Sequence, residues 1–284
     1  MIDRELSRRR LFGIAASAAL TAGCGTAHGD SITLTSTATP VTTATTVPIT
    51  ASAQVPLPAA VAARHAGTQP RQWGVALPGI TSSFTPTADQ IALTFDACGG
   101  PGNNEIDQAL VDFLVAQQIP ATLFLNRRWI DADPARTMQL GANPLFELAN
   151  HGSAHKPLSV TGRAAYGIAG TTSTQEAAEE VWTNHLRLTE LTGTPPRFFR
   201  AGTAHYDEIA VAIIEDLGET PIGFTLNADH GATATATQVA SAMRTATPGT
   251  ISLAHLHRPR SGTAAGMIDA LPALRALGFT FIHL

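Results

Sequence analysis

The chain has 284 residues, of which 44% are hydrophobic, so it can form one large domain or two small ones with a substantial core. Its formal net charge at pH 7 is −4, and no basic block occurs after the first ten residues. This charge pattern argues against nucleic acid as a partner.

The first 24 residues have the features of an export signal. Arginines at positions 8–10 precede a weakly apolar stretch over residues 11–22, and the arginine pair resembles a twin-arginine signal. Small residues then lead into Cys24, as at a bacterial lipoprotein cleavage site. We therefore predict export to the bacterial cell surface, with a lipid on Cys24 as the membrane anchor, or secretion. A transmembrane anchor is the alternative, but the stretch is short and rich in alanine.

Residues 25–70 are predicted to form a disordered spacer. Between Ser31 and Ala63 there is no charged residue, and Ser, Thr, Ala, Val and Pro fill most of the segment. Such a composition cannot build a core, and its scattered prolines disfavour a helix. A Cys24–Cys98 disulfide, the usual expectation for an exported pair of cysteines, conflicts with lipidation of Cys24.

The sequence from residue 71 to residue 284 alternates between strand and helix patterns. IALTFD, ATLFL, FFR, IGFTLN, TISLAH and FTFIHL are apolar segments typical of strands. Between them the apolar residues recur at helical spacing, as in NEIDQALVDFLVAQQ and TQEAAEEVWTNHLRLTEL, the latter with Thr174 as its expected cap. This alternation predicts an α/β fold with parallel strands and barrel-like closure.

Four ionisable residues stand where predicted strands end. Asp96 ends IALTFD, Arg200 ends FFR, His255 ends TISLAH, and Asp229 lies just past IGFTLN. In parallel α/β sheets and barrels, ligands bind beyond the carboxyl ends of the strands. Solvation alone explains four such residues poorly, so we predict that they converge on a functional site.

A pair of histidines, His151 and His155, stands in the segment NHGSAHKPL. On a helical turn, residues four apart lie on one face and are close enough to share a metal ion. Such pairs also occur by chance, but Asp96 would complete a set of two histidines and one carboxylate. The sequence therefore predicts a site for a divalent metal, with zinc as the expected ion.

Five segments, in order along the chain, resemble the motifs of the polysaccharide deacetylases, the NodB-homology group of carbohydrate esterases. ALTFDACGG resembles the first motif, usually Thr-Phe-Asp-Asp-Gly, and ELANHGSAHKPLS resembles the second, which contains a His-Ser/Thr-x-x-His pair. PRFFRAG resembles the arginine motif, NADHG stands where the aspartate motif belongs, and GTISLAH resembles the final Leu-x-His motif. The resemblance covers residues 91–284 and implies a distorted, incomplete (β/α) barrel.

The resemblance also implies the roles of four residues in hydrolysis of an acetyl amide or ester. It places Asp96 as the general base and Arg200 as the arginine that pairs with this base. His255 takes the position of the general acid that protonates the departing group. Asp229 matches the aspartate that orients this histidine, although the usual tryptophan is missing from its motif.

The expected metal site departs from the family pattern. Family members hold a divalent metal, commonly zinc, with two histidines and the second aspartate of the first motif. His151 and His155 match the histidines, but Ala97 stands in place of the aspartate, and a methyl group cannot bind a metal. Gly152 also replaces the usual Ser/Thr of the second motif.

The identity of the third ligand stays open among several residues. Asp96 itself is our first choice, because it is the remaining carboxylate of the motif. Cys98 is an alternative, since thiolate binds zinc well, and so is a carboxylate of the HYDE segment such as Asp207 or Glu208. In a further alternative, the site holds metal poorly and does no chemistry.

The expected substrate is an acetylated glycan of the cell envelope, such as peptidoglycan, with N-acetyl or O-acetyl groups. An exported and tethered enzyme meets this material first, and we expect it to act as a monomer. Trp129, Trp182 and Tyr206 are candidates for stacking on sugar rings, although core or surface positions explain them equally well. A catalytically silent glycan-binding lipoprotein is the alternative function, and Ala97 is its best support.

Overall fold

Residues 57–284, which the computed structural model of the protein describes, contain a parallel β-sheet flanked by helices. The predicted export signal, the lipidation site at Cys24 and residues 25–56 of the predicted spacer lie outside these residues. No helix within residues 57–284 has both the length and the apolar composition that crossing a membrane requires.

The strands and helices of the described residues alternate along most of the chain. The strands are β1 (Gln90–Ala97), β2 (Ala121–Leu125), β3 (Phe146–Asn150), β4 (Phe198–Phe199), β5 (Thr220–Pro221), β6 (Leu226–Asn227), β7 (Ile251–His255) and β8 (Thr280–Ile282). The helices are α1 (Pro58–His65), α2 (Gln108–Ala116), α3 (Arg127–Ala132), α4 (Pro134–Gly141), α5 (Thr174–Thr192), α6 (Glu208–Asp216), α7 (Ala236–Met243) and α8 (Thr263–Ala276).

The sheet has the strand order β5-β4-β3-β2-β1-β7-β6, and β8 also pairs with β1. The paired strands run parallel to one another. Their carboxyl ends therefore meet at one edge, where a ligand site is expected in such folds. This half-barrel of parallel strands alternating with helices confirms the fold class predicted from the sequence.

The two faces of β1 have different partners. Leu93, Phe95 and Ala97 belong to the large core cluster that includes residues of α2, α7 and α8. Ala92 packs in a separate cluster with residues of β2, β3 and β7. Because successive strand residues point to opposite faces, Asp96 lies on the face of Ala92, away from the core side chain of Ala97.

Local sequence signals set the bounds of two helices beside the site. The Ser173 side chain accepts a hydrogen bond from the Glu176 N–H, and α5 ends at Gly193 in the left-handed conformation (φ 72°). The predicted cap, Thr174, is instead the first helical residue. Asp207 caps α6 by accepting a hydrogen bond from the Ala210 N–H.

The structure corrects several predicted element bounds. α1 lies within the predicted spacer, with Val61 buried and Arg64 paired to Asp216 at 2.9 Å, so the ordered region begins before residue 71. The segment IGFTLN, predicted as one strand, contributes only Leu226–Asn227 to β6. β3 was not predicted as a strand, because its sequence FELAN mixes apolar and polar residues.

A buried polar network fixes the end of β3. The Asn150 amide donates hydrogen bonds to Val181 O at 2.9 Å and to Glu219 Oε1 at 2.8 Å. Its Oδ1 accepts from the Gly152 N–H and from Asn184. Burial raises the pKa of Glu219 to about 7, although its hydrogen bonds oppose the shift. These hydrogen bonds therefore hold Asn150 in place at the start of the loop that carries His151 and His155.

Gly152 is required by the packing of this loop. The buried Glu180 carboxylate accepts hydrogen bonds from the backbone N–H groups of Ala154 and Lys156. A Cβ on residue 152 would lie 2.5 Å from Glu180 Oε1, and the backbone there has φ +75°. A serine or threonine at this position would therefore displace Glu180 and strain the backbone.

We predict that Gly152→Ser destabilises the fold by about 1–3 kcal/mol, because it adds a clash to an unfavourable backbone conformation. Urea denaturation of the full chain measures this change. Gly167→Ser is the matched control, since Gly167 has φ +77° but no atom within 4 Å of an added Cβ. Equal destabilisation by the two variants would contradict the packing argument.

Candidate active site

The carboxyl ends of the strands surround a cavity of about 680 Å³. The ionisable side chains that line it belong to Asp96, Cys98, Arg128, His151, His155, His230, His255, His257 and Arg258, together with Tyr166 at the rim. Asp229 and Arg200 are fully buried beside these groups. The predicted convergence of strand-end residues is therefore present in the structure.

The side chain of Arg200 holds the Asp96 carboxylate in place. Arg200 Nη1 donates to Asp96 Oδ1 at 2.7 Å and to Thr94 Oγ1 at 2.9 Å. Its Nη2 donates to the Gly223 carbonyl at 2.9 Å, and the guanidinium lies 4.1 Å from the ring centre of Phe124. A buried arginine with these partners fixes the orientation of the carboxylate.

His151 is positioned by the backbone of Arg200. Its Nδ1 lies 2.7 Å from the Arg200 carbonyl oxygen, which only accepts, so Nδ1 carries the proton. Nε2 therefore has its lone pair free on the cavity side. This atom is 3.5 Å from Asp96 Oδ2 and 3.8 Å from Cys98 Sγ.

His151 and His155 do not share a helical turn, but their rings do meet. The two residues lie in an irregular loop after β3, and their ring centres are 4.9 Å apart in an edge-on arrangement. His155 has a left-handed backbone (φ 60°), and Gly202 packs directly against its carbonyl group. Strained backbone of this kind is found mainly where a site requires it.

Within the described residues, one group of three side chains is arranged to hold a metal ion: Cys98, His151 and His155. One ligand atom from each lies within 4.8 Å of the others. Around a tetrahedral zinc ion such atoms are separated by roughly 3.5 Å, so small shifts of these side chains would bring the sulfur and nitrogen donors to a cation of this type. Asp96 is not part of the group, and its predicted role as a ligand stays a prediction.

The charges at this group favour a cation. Burial raises the pKa of the Cys98 thiol, but the charge of His155 and hydrogen bonds with the surrounding histidines hold it well below its usual range. Burial lowers the pKa of His151, whereas the charges of Asp96 and Cys98 raise it by more. The negative charges of Asp96 and Cys98 that favour a proton on His151 would also favour a metal ion in its place.

Two carboxylates considered as metal ligands serve the backbone instead. Asp207 is fully buried and accepts hydrogen bonds from the Val160 and Ala210 N–H groups. Glu208 binds the backbone N–H groups of Arg71 and Gln72. Neither residue lines the cavity, so the structure does not support these alternatives.

Asp229 holds His255 as the resemblance implied. Asp229 Oδ1 lies 2.9 Å from His255 Nδ1, while Oδ2 accepts from the His255 N–H and from Thr263 Oγ1, both at 2.8 Å. Burial lowers the pKa of His255, but its hydrogen bond with Asp229 and its interactions with Cys98 raise it well above the ordinary value. These partners therefore favour the protonated form of His255.

His257, to which the sequence gave no role, is buried in the same cavity. Its Nδ1 lies 3.2 Å from the Asp96 carbonyl oxygen and its ring centre 5.6 Å from that of His255. Burial lowers its pKa, and the charge of His255 adds to this effect. The sequence signal that could have indicated this position is the separation of two residues between His257 and His255, which ends β7.

The aromatic residues proposed for sugar stacking are not at the cavity. Trp129 and Tyr206 are fully buried, and Trp182 stacks on His185 with ring centres 4.3 Å apart. Tyr166, on an exposed loop with 83% of its surface accessible, lies at the cavity rim instead. Its ring packs edge-on against His205, 5.3 Å between centres.

Two comparisons of sequence bear on the family of this chain. A profile of the family described as polysaccharide deacetylase matches residues 84–222. A comparison with curated protein sequences found no match.

Comparison with solved structures finds the fold of carbohydrate esterase family 4. A family 4 pseudoenzyme from Bacillus anthracis has a TM-score of 0.61 and 19% identity, over 74% of this chain and 68% of the pseudoenzyme. Bacillus subtilis PdaA, a family 4 carbohydrate esterase, has a TM-score of 0.58 and 18% identity, over 72% and 82% of the two chains.

A family 4 acetyl xylan esterase from Clostridium thermocellum, solved in complex with a cobalt ion, gives a TM-score of 0.56. Its identity is 22%, over 68% of this chain and 87% of the esterase. At sequence identities this low, the structural similarity shows a shared fold and nothing further. The profile match, in contrast, is evidence from the sequence. The profile match and the shared fold identify a polysaccharide deacetylase domain at residues 84–222 of this chain.

Proposed function

We propose that this protein is a metal-dependent hydrolase that removes acetyl groups from a glycan of the bacterial cell envelope. One observation carries the proposal: a buried carboxylate, a pair of histidines and a carboxylate-bound histidine face the same cavity. Together they supply the base, the metal ligands and the acid that metal-assisted hydrolysis of an acetyl amide or ester uses.

His151, His155 and a third nearby ligand would hold the divalent metal. His151 suits this role because the Arg200 carbonyl fixes its ring and leaves Nε2 available. When bound there, a divalent ion would polarise the acetyl carbonyl and make attack by water easier. We expect zinc, since imidazole ligands suit this ion.

Asp96 would act as the general base. Its Oδ1 is held by Arg200, while Oδ2 faces the cavity beside His151 Nε2. This oxygen is positioned to take a proton from water as the water attacks the acetyl carbonyl. The hydrogen bond from the arginine prevents the carboxylate from turning away from the substrate.

His255 would act as the general acid. Its Nδ1 is bound to Asp229, so the proton on its other ring nitrogen is the one available for transfer. The raised pKa of His255, which follows from its interactions with Asp229 and Cys98 despite burial, supplies the charged form that donates a proton. Donation to the departing amine or alcohol completes the hydrolysis.

The backbone N–H of Gly100, in the turn after Asp96, is not available to stabilise an oxyanion. The Gly100 N–H donates to Asn104 Oδ1 at 2.9 Å, which removes it as a donor to the acetyl oxygen. Gly99 must be a glycine for packing, because its φ is +64° and an added Cβ would lie 2.9 Å from Trp129 Cβ. The metal and the cavity histidines are therefore the main candidates for stabilising negative charge.

The rim of the cavity supports a glycan as substrate. The exposed ring of Tyr166 packs against His205, which in turn lies 5.8 Å from the ring centre of Trp73. Such an exposed aromatic surface beside an open cavity suits the apolar face of a sugar ring. The export signal and the lipidation at Cys24, both proposed from the sequence, would place the enzyme at the cell envelope.

A catalytically silent glycan-binding protein is the second candidate. Ala97 removes the family's usual metal carboxylate, and a family 4 pseudoenzyme has the same fold. A mutant of that pseudoenzyme is described as having restored enzymatic activity. Against this candidate stand the His151–His155 pair and the complete Asp229–His255 pair of the present chain.

The two candidates differ in acetate release. We expect the full-length chain, loaded with zinc, to release acetate from N-acetylglucosamine oligomers or peptidoglycan, and His151→Ala to lose both zinc and activity. The measurements are metal analysis and an acetate assay. Retention of the glycan by a chain that neither binds zinc nor releases acetate would favour the binding protein.

The proposed acid role of His255 predicts a dependence on the leaving group. His255→Asn should lower kcat for an N-acetylated oligomer by roughly 10²-fold to 10⁴-fold. Its effect on an aryl acetate should be much smaller, because a phenolate departs without prior protonation. Asp96→Asn should instead lower activity on both substrates, and equal losses on both substrates in His255→Asn would contradict the acid role.

Tyr166 is expected to contribute to glycan binding. Tyr166→Ala should raise KM for an acetylated oligomer by about threefold to tenfold, with little change in kcat. Tyr166→Trp should retain the low KM, since it keeps an aromatic face. Leu277→Ala is the surface control, because Leu277 is 74% exposed and does not line the cavity. An unchanged KM in Tyr166→Ala would remove the residue from the site.

A further inference from the structure

We propose that Cys98, as a thiolate, supplies the third protein ligand to the metal. It would thereby replace the family's metal-binding aspartate, at whose position this chain has Ala97. This inference rests on the proposed metal-dependent function and identifies the ligand that the sequence left open. It also implies that the site selects thiophilic ions such as zinc and cobalt.

The register of β1 explains why Cys98 can take this role. Side chains alternate between the two faces of a strand, and Ala97 lies on the face of Leu93 and Phe95 in the core. Cys98 follows the last residue of β1 and lines the cavity together with Asp96. The chain therefore places its thiol, rather than the side chain at position 97, beside the histidines.

Cys98, unlike Asp96, is grouped with both histidines, although Asp96 Oδ2 lies closer to His151 Nε2, at 3.5 Å. Cys98 Sγ lies 3.8 Å from His151 Nε2 and belongs with His155 to the group of donor atoms within 4.8 Å of one another. Asp96 is outside this group, and one of its oxygens is bound to Arg200. Asp96 is then free to act as the base while the cysteine binds the metal.

Metal binding by Cys98 has a defined proton balance. One sulfur–metal bond forms, and a proton is released to solvent wherever the thiol was still protonated. His151 Nε2, 3.8 Å from Cys98 Sγ, places an imidazole within sulfur hydrogen-bond distance of the thiol. No oxidant or other reactant is required.

A thiolate ligand changes which metals the site accepts. Sulfur ligands favour zinc and related transition metals, whereas Mg²⁺, Ca²⁺ and Mn²⁺ prefer oxygen. We therefore expect zinc to remain bound in a large excess of Mg²⁺ or Mn²⁺. Loss of an outer-shell partner typically weakens a metal site by about 10-fold to 100-fold, and loss of Cys98 should exceed that range.

Cobalt(II) provides a readout of the ligand that does not depend on activity. Added to the metal-free full-length chain, Co²⁺ should produce a sulfur-to-cobalt charge-transfer band in the near ultraviolet. Cys98→Ser should remove this band, and Cys24→Ser, the matched control for the other cysteine, should keep it. Circular dichroism checks that each variant is folded.

A second measurement keeps the test decisive if Cys98→Ser does not fold. In the Cys24→Ser chain, zinc should slow alkylation of Cys98 by iodoacetamide, because a metal-bound sulfur is a poorer nucleophile. Two results together would overturn the proposal that Cys98 is a ligand: cobalt that binds with visible bands but without a charge-transfer band, and alkylation of Cys98 that zinc does not slow. They would leave the hydrolase proposal intact. A chain that binds neither ion would overturn both proposals.

Discussion

The buried ion pair between Arg200 and Asp96 is the interaction on which the site depends. Arg200 is fully buried and joins β1, through Asp96 and Thr94, to the Gly223 carbonyl beyond β5. Its own carbonyl orients His151 at the end of β3. A charged group so far from water is tolerated only when its partners are in place, so the geometry of one residue constrains the carboxylate and the histidine together.

The departures from the family pattern are explained by neighbours of the changed residues. Ala97 completes the core face of β1, where a carboxylate would be buried among apolar side chains. Gly152 leaves room for Glu180, which holds the loop carrying both histidines. Cys98 and the buried His257 then supply sulfur and imidazole groups near Asp96. These contacts therefore favour a metal site with a changed set of ligands over a site that has lost the ability to bind a metal.

Much of the fold could be predicted because long apolar strands such as β1 and β2 have a clear pattern. Short strands were harder to predict. β3 contains the partly exposed Glu147 and the buried Asn150, and the partners of Asn150 are distant in sequence. The convergence of Asp96, Arg200, Asp229 and His255 followed from strand ends and family motifs. The proximity of Cys98 to the histidines could not be predicted in this way, because it depends on a glycine-rich turn and on a loop that local sequence patterns describe poorly. Tyr166 was missed for the same reason, since no periodicity marks a residue in an irregular loop.

The central claim is that two imidazoles and one sulfur atom hold a cation in the cavity beside an ion-paired carboxylate. X-ray absorption at the zinc edge of the loaded full-length protein tests it most directly. The account predicts one sulfur at about 2.3 Å and two imidazole nitrogens at about 2.0–2.1 Å from the metal. A first shell made only of nitrogen and oxygen atoms would contradict the cysteine ligand, and a zinc ion without imidazole ligands would contradict the site as a whole.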